Sequence, residues 1–442
     1  MSEDRKKRIV YLTAGAGGMY CGSCMHDNTL VRALIQHGLD VQLVPTYTPI
    51  RTDENDISAD QVFFGGINVY LQQKIPLFRY VPRVLDRFLD RPGLIRRVSS
   101  RATNLSPREL GKLTVSMLKG EHGFQRKEVK RLSDWLKHSA QPDLIALTNI
   151  LIGGCIPTLK RVLQVPAVVC LQGDDVFLET LPEPYKAQAL QEIQRVAEDV
   201  AGFITHSQYY ADFMSHYLSI PREKFHVTPL GMDVTDYQDF APPRASGERE
   251  LAVGYFARLA PEKGLHVLVD AFIELRRIEK SRGESARRTK LLIAGWLGEN
   301  DREYAESQFA KLRQAGLADD FEHLGSVDRE GKLKFFQSID LLAVPTIYHE
   351  PKGLFALEAM AAGVPVLLPA HGAFPEMISE TQGGLLTEPG SARDLAEKLD
   401  HLLTDHPQRH ALGQTGQRAV HVRRNSAAMA EATWRIFQMF LK

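Results

Sequence analysis

Residues 350–358 read Glu-Pro-Lys-Gly-Leu-Phe-Ala-Leu-Glu and follow closely on the apolar run Leu-Leu-Ala-Val-Pro. The apolar run predicts a buried strand, and the residues from Leu354 onward predict a helix. Glu350 then lies on a strand-to-helix loop, and Glu358 lies just over two turns into the helix on roughly the same face. Gly353 allows a ligand to approach the backbone closely, and the first N–H groups of the helix point into the same space. The stretch suits a ligand with an anionic part and several hydroxyl groups, such as a nucleotide sugar.

Short apolar runs alternate with helical patterns along the chain, and this alternation predicts parallel sheets. Two successive series predict two doubly wound α/β domains. The strand candidates are 8–13, 41–44, 144–147, 167–171, 203–205 and 226–228 in the first half, and 251–255, 290–294, 322–324, 341–344 and 364–368 in the second. A polar stretch containing Pro and Gly at 239–248 is typical of a linker. We therefore expect domains over 1–235 and 249–425, followed by an amphipathic helix over 426–442.

The bulk composition excludes several classes of protein. The chain has 54 Lys and Arg against 54 Asp and Glu, so its charge predicts no nucleic-acid partner. No apolar run has the length of a membrane span, and no signal-peptide core follows the basic residues near the amino terminus. Four cysteines in 442 residues are typical of a reducing compartment. We expect a cytoplasmic protein.

The segment 78–139 breaks the alternation, because it has a helical pattern and carries 15 Lys and Arg against 6 Asp and Glu. An apolar stripe at helical spacing runs from Val81 to Leu89. One interpretation is a basic helical insertion at the rim of a cleft, with solvated arginines. The alternative is contact with an anionic surface, either lipid headgroups or an acidic acceptor. The alternative would make the protein peripheral at the inner face of the membrane.

Two cations, Arg258 and Lys263, lie on a loop between an apolar run and a helical pattern. Arginine engages phosphate oxygens in a fork, and lysine supplies a point charge. Cleavage of a sugar–phosphate bond leaves negative charge on the diphosphate, which preorganised positive charge stabilises. The sequence has no Asp-x-Asp motif in a suitable loop and no His, Cys and Asp cluster with metal-ligand spacing. We therefore expect a reaction that needs no metal and no cofactor.

The stretch 344–378 strongly resembles the retaining glycosyltransferases typified by sucrose synthase, bacterial glycogen synthase-like enzymes and mannosyltransferases (glycosyltransferase family 4). Those enzymes carry a Glu, seven residues, Glu motif, and the residues that follow Glu358 fit their pattern too. The resemblance implies the GT-B fold, in which two Rossmann-like domains face a cleft. It also implies that the second domain binds a nucleoside-diphosphate sugar and the first binds a sugar, glycan or lipid-linked acceptor. The last helix would return to the first domain, and hexosyl transfer would retain the anomeric configuration.

The resemblance also implies roles for single residues of the donor side. Arg258 and Lys263 match the phosphate-binding cations, Glu350 would contact the donor sugar, and Glu358 would hold the ribose hydroxyls. Arg258, Lys263 and Glu350 are the catalytic candidates. The backbone near Val327 would face the base, which leaves the base undetermined. The donor-binding candidates are Gly17, Gly18, Gly295, Val327, Gly353, Leu354, Phe355 and Glu358.

Gln172 and Asp175 are the candidates on the acceptor or sugar side. They belong to a Gln-Gly-Asp-Asp stretch that resembles the family's His-Gly-x-Asp, with Gln172 in place of histidine. A glutamine could still donate a hydrogen bond to a sugar hydroxyl. His26 and Asp27, at the start of the first helix, face either the cleft or solvent, and His206 receives no catalytic role.

Cys21 and Cys24 form a Cys-x-x-Cys pair. A redox pair and half of a metal site are both open interpretations. We favour small residues that line a tight loop.

Two rival functions fit the same motifs. A nucleotide-sugar 2-epimerase on the same fold would turn over the donor without an acceptor. A non-catalytic sugar-nucleotide-binding protein would bind the donor without turnover. The intact set of Arg258, Lys263, Glu350 and Glu358 favours an enzyme.

Overall fold

A computed structural model describes residues 6–15, 22–59, 62–64, 69, 72–73, 106–240, 250–283 and 288–441. The chain divides into two compact units, one formed by 1–229 with 429–442 and the other by 230–428. Each unit contains one six-stranded sheet in which every pairing is parallel.

The first sheet has the strand order β2-β1-β3-β4-β5-β6. Its strands are β1 (Arg8–Thr13), β2 (Asp40–Pro45), β3 (Leu144–Leu147), β4 (Ala167–Cys170), β5 (Gly202–Thr205) and β6 (Phe225–Val227). The helices of this unit, numbered over the described residues, are α1 (Gly22–Gln36), α2 (Pro107–Leu118), α3 (Arg126–Trp135), α4 (Ile156–Leu163), α5 (Asp174–Glu179), α6 (Tyr185–Ala197) and α7 (Gln208–Leu218). Short helical turns lie at Gly120–His122, Leu136–Ala140, Ile150–Cys155 and Arg222–Lys224.

The second sheet has the order β12-β11-β10-β7-β8-β9. Its strands are β7 (Leu251–Phe256), β8 (Thr289–Ala294), β9 (Phe321–Gly325), β10 (Leu341–Ala343), β11 (Val366–Pro369) and β12 (Gly384–Thr387). Its helices are α8 (Leu265–Ser281), α9 (Arg302–Gln314), α10 (Arg329–Ser338), α11 (Leu354–Ala361), α12 (Phe374–Thr381), α13 (Ala392–Thr404) and α14 (His406–Arg423). Short helical turns lie at Thr235–Tyr237, Pro261–Lys263 and Glu299–Asp301. The last helix, α15 (Ser426–Phe440), begins at the end of this unit.

Strand alternation explains how the first sheet buries both of its faces. Ile9 and Tyr11 of β1 pack into one core, and Val10 and Leu12 pack into the other. Successive side chains of a strand point to opposite faces, so a strand covered on both sides reads as a continuous apolar run. The helix α15 contributes apolar side chains to the core that holds Ile9 and Tyr11, namely Met429, Ala430, Ile436 and Phe437.

The predicted α/β class with two parallel sheets is confirmed. The helix predicted from Leu354 begins at that residue. One strand was missed: β12 is only four residues long and begins with glycine, so its apolar signal is weak. Of the predicted basic segment, residues 106–139 are described and contain α2 and α3, while the apolar stripe from Val81 to Leu89 lies outside the described residues. Over the described part of the chain, no helix is both long and apolar enough to cross a bilayer.

Candidate functional site

The order in which the chain adds strands to the second sheet reverses between β7 and β10, and the candidate site lies at this switch point. The two strands pair directly, with Leu341 opposite Val253 and Leu342 opposite Gly254. From β7 the chain order runs outward one way through β8 and β9, and from β10 it runs the other way through β11 and β12. Ligands of doubly wound sheets bind beyond the carboxyl ends of the strands at such a switch point. The loop after β7 carries Arg258 and Lys263, and the loop after β10 carries Glu350.

Lys263, which is half-buried, forms an ion pair with the buried Glu350 at this point. The distance between Lys263 Nζ and Glu350 Oε2 is 2.7 Å, and the two side chains are 16% and 6% exposed. Tyr348 accepts a hydrogen bond from Lys263 at 2.5 Å and donates one to Glu350 Oε2. The ammonium also lies 4.7 Å from the centre of the Tyr348 ring, within the range of a cation–π interaction. Tyr348, which the sequence did not point to, therefore holds both charged groups in one arrangement.

The other carboxylate oxygen of Glu350 is held by the backbone. Oε1 accepts from the N–H of Lys352 at 3.3 Å and from the N–H of Gly353 at 3.2 Å. Burial on its own would raise the pKa of Glu350. The charge of Lys263 and the hydrogen bonds from Lys263, Tyr348 and Gly353 outweigh burial and lower that pKa to about 2. Glu350 is thus a permanently charged carboxylate at neutral pH.

Gly353 is required by the backbone at the start of α11. Its φ is +72°, in the left-handed region that disfavours side chains, and a Cβ there would lie 2.7 Å from the Phe374 ring. The conformation turns the Gly353 N–H toward Glu350 and starts the helix at Leu354. Leu354 and Phe355 supply the first N–H groups of the helix, which by their position have no carbonyl of the helix to bond.

Arg258 is the exposed member of the group. Its guanidinium side chain is 45% exposed and forms an ion pair with Glu262, four residues further on. The hydroxyl of Tyr255 donates to the Arg258 carbonyl at 3.2 Å and thereby supports the loop backbone. Arg258 and Lys263 lie on the same short loop, Arg258 exposed and Lys263 half-buried.

Glu358 lies in the helix α11 and has a buried cationic partner. Its Oε1 is 2.7 Å from Lys332 Nζ, and the side chains are 6% and 7% exposed. Lys332 belongs to α10, and sequence reasoning missed it because a lysine in a polar helix reads as solvated. A lysine and a glutamate this deeply buried are retained at a desolvation cost, so the pair orients Glu358 strongly.

Gly295 and Val327 occupy the ends of the neighbouring strands. Gly295 has a φ of +150°, and a Cβ there would lie 1.8 Å from the Ala257 carbonyl oxygen, so only glycine fits. Its N–H donates to the Gly325 carbonyl at 2.9 Å. Val327 is half-buried just before α10. Gly295 brings the ends of β7 and β8 together next to the loop of Arg258, and packing explains its presence without a ligand.

The described candidates of the first unit, Gln172 and Asp175, form hydrogen bonds with other side chains of that unit. Gln172 is buried, and its Nε2 lies 2.9 Å from Asp27 Oδ1 and 3.1 Å from Thr148 Oγ1. Asp175 accepts a hydrogen bond from the Tyr210 hydroxyl at 2.5 Å, and burial raises the pKa of its carboxyl. Gly17, Gly18 and Cys21 lie outside the described residues, and Cys24 is buried in the core. His26 and Asp27 are also buried, which excludes the alternative of a solvated helix start.

Comparison with known proteins gives a family match within the second unit. Residues 237–419 match the family model Glycosyl transferases group 1. The matched residues contain Arg258, Lys263, Glu350 and Glu358. The family supported by this match is glycosyl transferases group 1.

Two of the curated relatives are glycosyltransferases by name. The chain is 31% identical over 239 residues to the D-inositol 3-phosphate glycosyltransferase of Stackebrandtia nassauensis, which is 53% of each protein. It is 26% identical to the capsular polysaccharide biosynthesis glycosyltransferase CapM of Staphylococcus aureus, over 43% of this chain and 46% of that protein. The chain spans about half the length of the curated relatives that it matches.

Solved structures show the fold. Sucrose-phosphate synthase from Thermosynechococcus elongatus superposes with a TM-score of 0.69 at 19% identity, covering 98% of this chain and 99% of that one. Anabaena HepE, solved in complex with UDP, superposes with a TM-score of 0.65 at 16% identity, covering 98% and 100%. With two parallel six-stranded sheets, these likenesses show that the chain has the GT-B fold.

Proposed function

We propose that the chain is a glycosyltransferase that moves a hexosyl group from a nucleoside-diphosphate sugar to an acceptor with retention of configuration. The observation that carries the proposal is the ion pair of Lys263 with the buried Glu350, next to Arg258, at the switch point of the sheet matched by the group 1 family. The curated relatives are glycosyltransferases by name, and HepE was solved with UDP and with UDP-glucose. A nucleoside-diphosphate sugar is therefore the proposed donor.

Arg258 and Lys263 would hold the diphosphate. An ammonium has three N–H groups, and the bonds to Glu350 and Tyr348 use two of them. The third remains for a phosphate oxygen. The exposed guanidinium of Arg258 would exchange its partner Glu262 for phosphate oxygens, which it can bind in a fork. Positive charge fixed in advance at the leaving group lowers the barrier, because it is not reorganised during the reaction.

Glu350 would stabilise the sugar. Bond cleavage gives the anomeric carbon oxocarbenium character, and a carboxylate with a pKa of about 2 supplies a constant negative charge. A group with that pKa is a poor proton donor or acceptor near neutral pH. The acceptor proton would therefore pass to an oxygen of the leaving diphosphate. In this same-face displacement the bond from the anomeric carbon to phosphate breaks, and the bond from that carbon to the acceptor oxygen forms.

Glu358 would bind the ribose hydroxyls, and its ion pair with Lys332 would fix its orientation. Val327 and Gly295 would line the base side. We propose that the reaction needs no metal at the diphosphate, since Arg258 and Lys263 supply positive charge there. Turnover that EDTA abolishes and Mg²⁺ restores would contradict this part.

A donor panel tests the function. Purified protein is incubated with UDP-, GDP- and ADP-hexoses, with and without sugar, polyol-phosphate and lipid-linked acceptors, and nucleoside diphosphate release is measured. We expect release from one donor that an acceptor accelerates, and NMR of the product should show the donor's anomeric configuration. Epimerised donor without acceptor would establish the epimerase, binding without turnover would establish a sensor, and an inverted product would refute retention.

The basic segment 78–139 suggests a lipid-linked acceptor and peripheral membrane contact. In its described part, a groove of about 550 Å³ includes the cations Arg126, Lys127, Lys130 and Lys137. The carboxylate of Asp134 neutralises part of this charge, because it pairs with Lys130. Co-sedimentation with anionic and neutral vesicles at low salt tests the proposal. Equal binding to both vesicle types, or none to either, would remove the membrane contact.

A further inference from the structure

Three potential metal ligands come together inside the first unit, far from one another in sequence. They are His26, Cys170 and His206, all buried, and their ligand atoms lie within 4.8 Å of one another. The topology of the first sheet explains why these three side chains lie close together. Cys170 ends β4 and His206 follows β5, its parallel neighbour, while His26 lies near the start of α1. Sequence spacing could not reveal this cluster, because each residue comes from a different strand-to-helix connection.

The distances suit a tetrahedral ion. Cys170 Sγ lies 3.7 Å from His206 Nε2, and the rings of His26 and His206 are 4.5 Å apart at their centres. Zn–S and Zn–N bonds of about 2.3 and 2.0–2.1 Å separate sulfur and nitrogen ligands by about 3.5 Å in a tetrahedron. The cluster therefore needs shifts of only tenths of an ångström along the measured edge.

The outer nitrogen of each histidine is held by an oxygen. His26 Nδ1 lies 3.2 Å from Asp27 Oδ1, and His206 Nδ1 lies 3.4 Å from the Thr228 carbonyl oxygen. In metal sites the ligating histidine donates its other N–H to a carboxylate or a carbonyl, which fixes the ring and its tautomer. Here both rings present Nε2 as the ligand atom, and the Nε2 of His206 already faces Cys170.

Hydrogen bonds hold the Asp27 side chain firmly in place. Its carboxylate accepts from Tyr11 Oη at 3.0 Å, from Thr13 Oγ1 at 2.7 Å and from Gln172 Nε2 at 2.9 Å. The Gln172 amide, a candidate for the acceptor side, thus serves this buried network.

The charges balance around a divalent ion. A thiolate at Cys170 and the carboxylate of Asp27 together carry two negative charges, and two neutral imidazoles add none. A divalent cation makes the buried group neutral, which removes the cost of burying net charge. A cavity of about 10 Å³, lined by Tyr11, Cys170, His206 and Thr228 among others, is close to the room that one water needs as a fourth ligand.

We propose that His26, Cys170 and His206 bind one Zn²⁺ ion, with Asp27 and the Thr228 carbonyl as the outer partners. Two imidazoles and one thiolate favour zinc over magnesium or calcium, which prefer oxygen ligands. The Cys170 thiol loses its proton to solvent as the Zn–S bond forms. The ion ties the start of α1 to the ends of β4 and β5, and its role is structural.

Metal content of three proteins tests the site. Wild type, Cys170→Ser and Cys155→Ser are produced with added zinc, freed of any affinity tag, dialysed and analysed by mass spectrometry for metal. Cys155 is the matched control, because it is buried in the same unit and its thiol donates to the Ile152 carbonyl at 3.4 Å. We expect about one zinc per chain in wild type and in Cys155→Ser, and at least a tenfold loss in Cys170→Ser. Zinc-free wild type, or zinc retained in Cys170→Ser, would overturn the proposal.

Cobalt gives a second measurement that does not depend on whether the variant folds. Wild type loaded with Co²⁺ should show a thiolate-to-cobalt charge-transfer band and the intense visible bands of a tetrahedral ion. Cobalt bound without the thiolate band would place the ion elsewhere and overturn the assignment. Mg²⁺-independent turnover in the same preparations is judged separately, so failure of the zinc site leaves the proposed function standing.

Discussion

The two sheets of this chain share parallel pairing and six strands, yet their carboxyl ends use polar groups differently. In the second unit, Lys263 and Glu350 are opposite charges held by neighbours at the switch point, with the exposed Arg258 beside them. In the first unit, Asp27 and Gln172 bond inward to each other and to nearby hydroxyls. The fold supplies the position in both cases. The residue types decide whether that position is a charged site or a buried network.

The largest effect is expected at Lys263. Changing Lys263→Ala removes a cation that we propose binds phosphate, and it leaves Glu350 buried without its ion-pair partner. We expect kcat to fall by about a hundredfold or more, and the free energy of unfolding to fall by about 3–5 kcal/mol. Steady-state kinetics and denaturant unfolding measure the two quantities. Lys334→Ala is the matched control, since Lys334 is an exposed lysine paired with Glu330.

One result would contradict a functional role for the Lys263–Glu350 pair. If Lys263→Ala lost stability but kept its kcat, the Lys263–Glu350 pair would have a structural role only. The second unit would then use its polar groups in the same way as the first. The double variant Lys263→Met with Glu350→Gln removes both charges together, so it separates the effect of the pair on stability from its effect on activity. That variant should recover stability and stay inactive.

The Lys332–Glu358 pair gives the next effect. Lys332→Met leaves the Glu358 carboxylate buried beside an apolar side chain, and we expect a loss of about 3 kcal/mol in the free energy of unfolding. Glu358→Gln should mainly raise KM for the donor, with a smaller change in kcat. A double-mutant cycle on unfolding measures the coupling between the two residues. Additive losses would show that the two side chains do not interact.

The pH dependence of stability separates Glu350 from ordinary carboxyls. Its pKa in the folded state is about 2, below the ordinary value, so its contribution is present above the ordinary pKa and is lost as the pH falls toward 2. The difference corresponds to about 3 kcal/mol. Unfolding of wild type and Glu350→Gln between pH 2 and 5 should show a steeper loss in wild type. Parallel curves would mean that the carboxylate is not stabilised by Lys263.

We expect the smallest effect at Gln172, which belongs to the buried hydrogen-bond network of the first unit. Gln172→Leu removes the amide that donates to Asp27, and we expect a loss of about 1–3 kcal/mol in the free energy of unfolding. Its effect on nucleoside diphosphate affinity should be far smaller than that of Lys263→Ala. An affinity loss as large as that of the lysine variant, without loss of stability, would place Gln172 at the donor.

The sequence predicted most of the fold because periodicity reports burial directly. The parallel sheets and the helix start at Leu354 follow from apolar runs and from Gly353. Lys263 and Glu350 were predicted as site residues, and they meet because β7 and β10 are neighbours, which the spacing of motifs does not state. Tyr348 and Lys332 were missed, since a tyrosine on a loop and a lysine on a helix look solvated without their partners. The His26, Cys170 and His206 cluster was missed because its members lie far apart in the sequence, and only the packing of α1 with β4 and β5 brings them together.

The proposed function requires the strand ends of the second sheet to bind the diphosphate of a nucleotide. Calorimetric titration of UDP, GDP and ADP into the whole chain, with EDTA present, measures this most directly. We expect at least one of them to bind at about one per chain and its nucleoside to bind far more weakly. Lys263→Ala should abolish that difference. Diphosphate binding that is equal in wild type and Lys263→Ala, or absent for all three nucleotides, would contradict it.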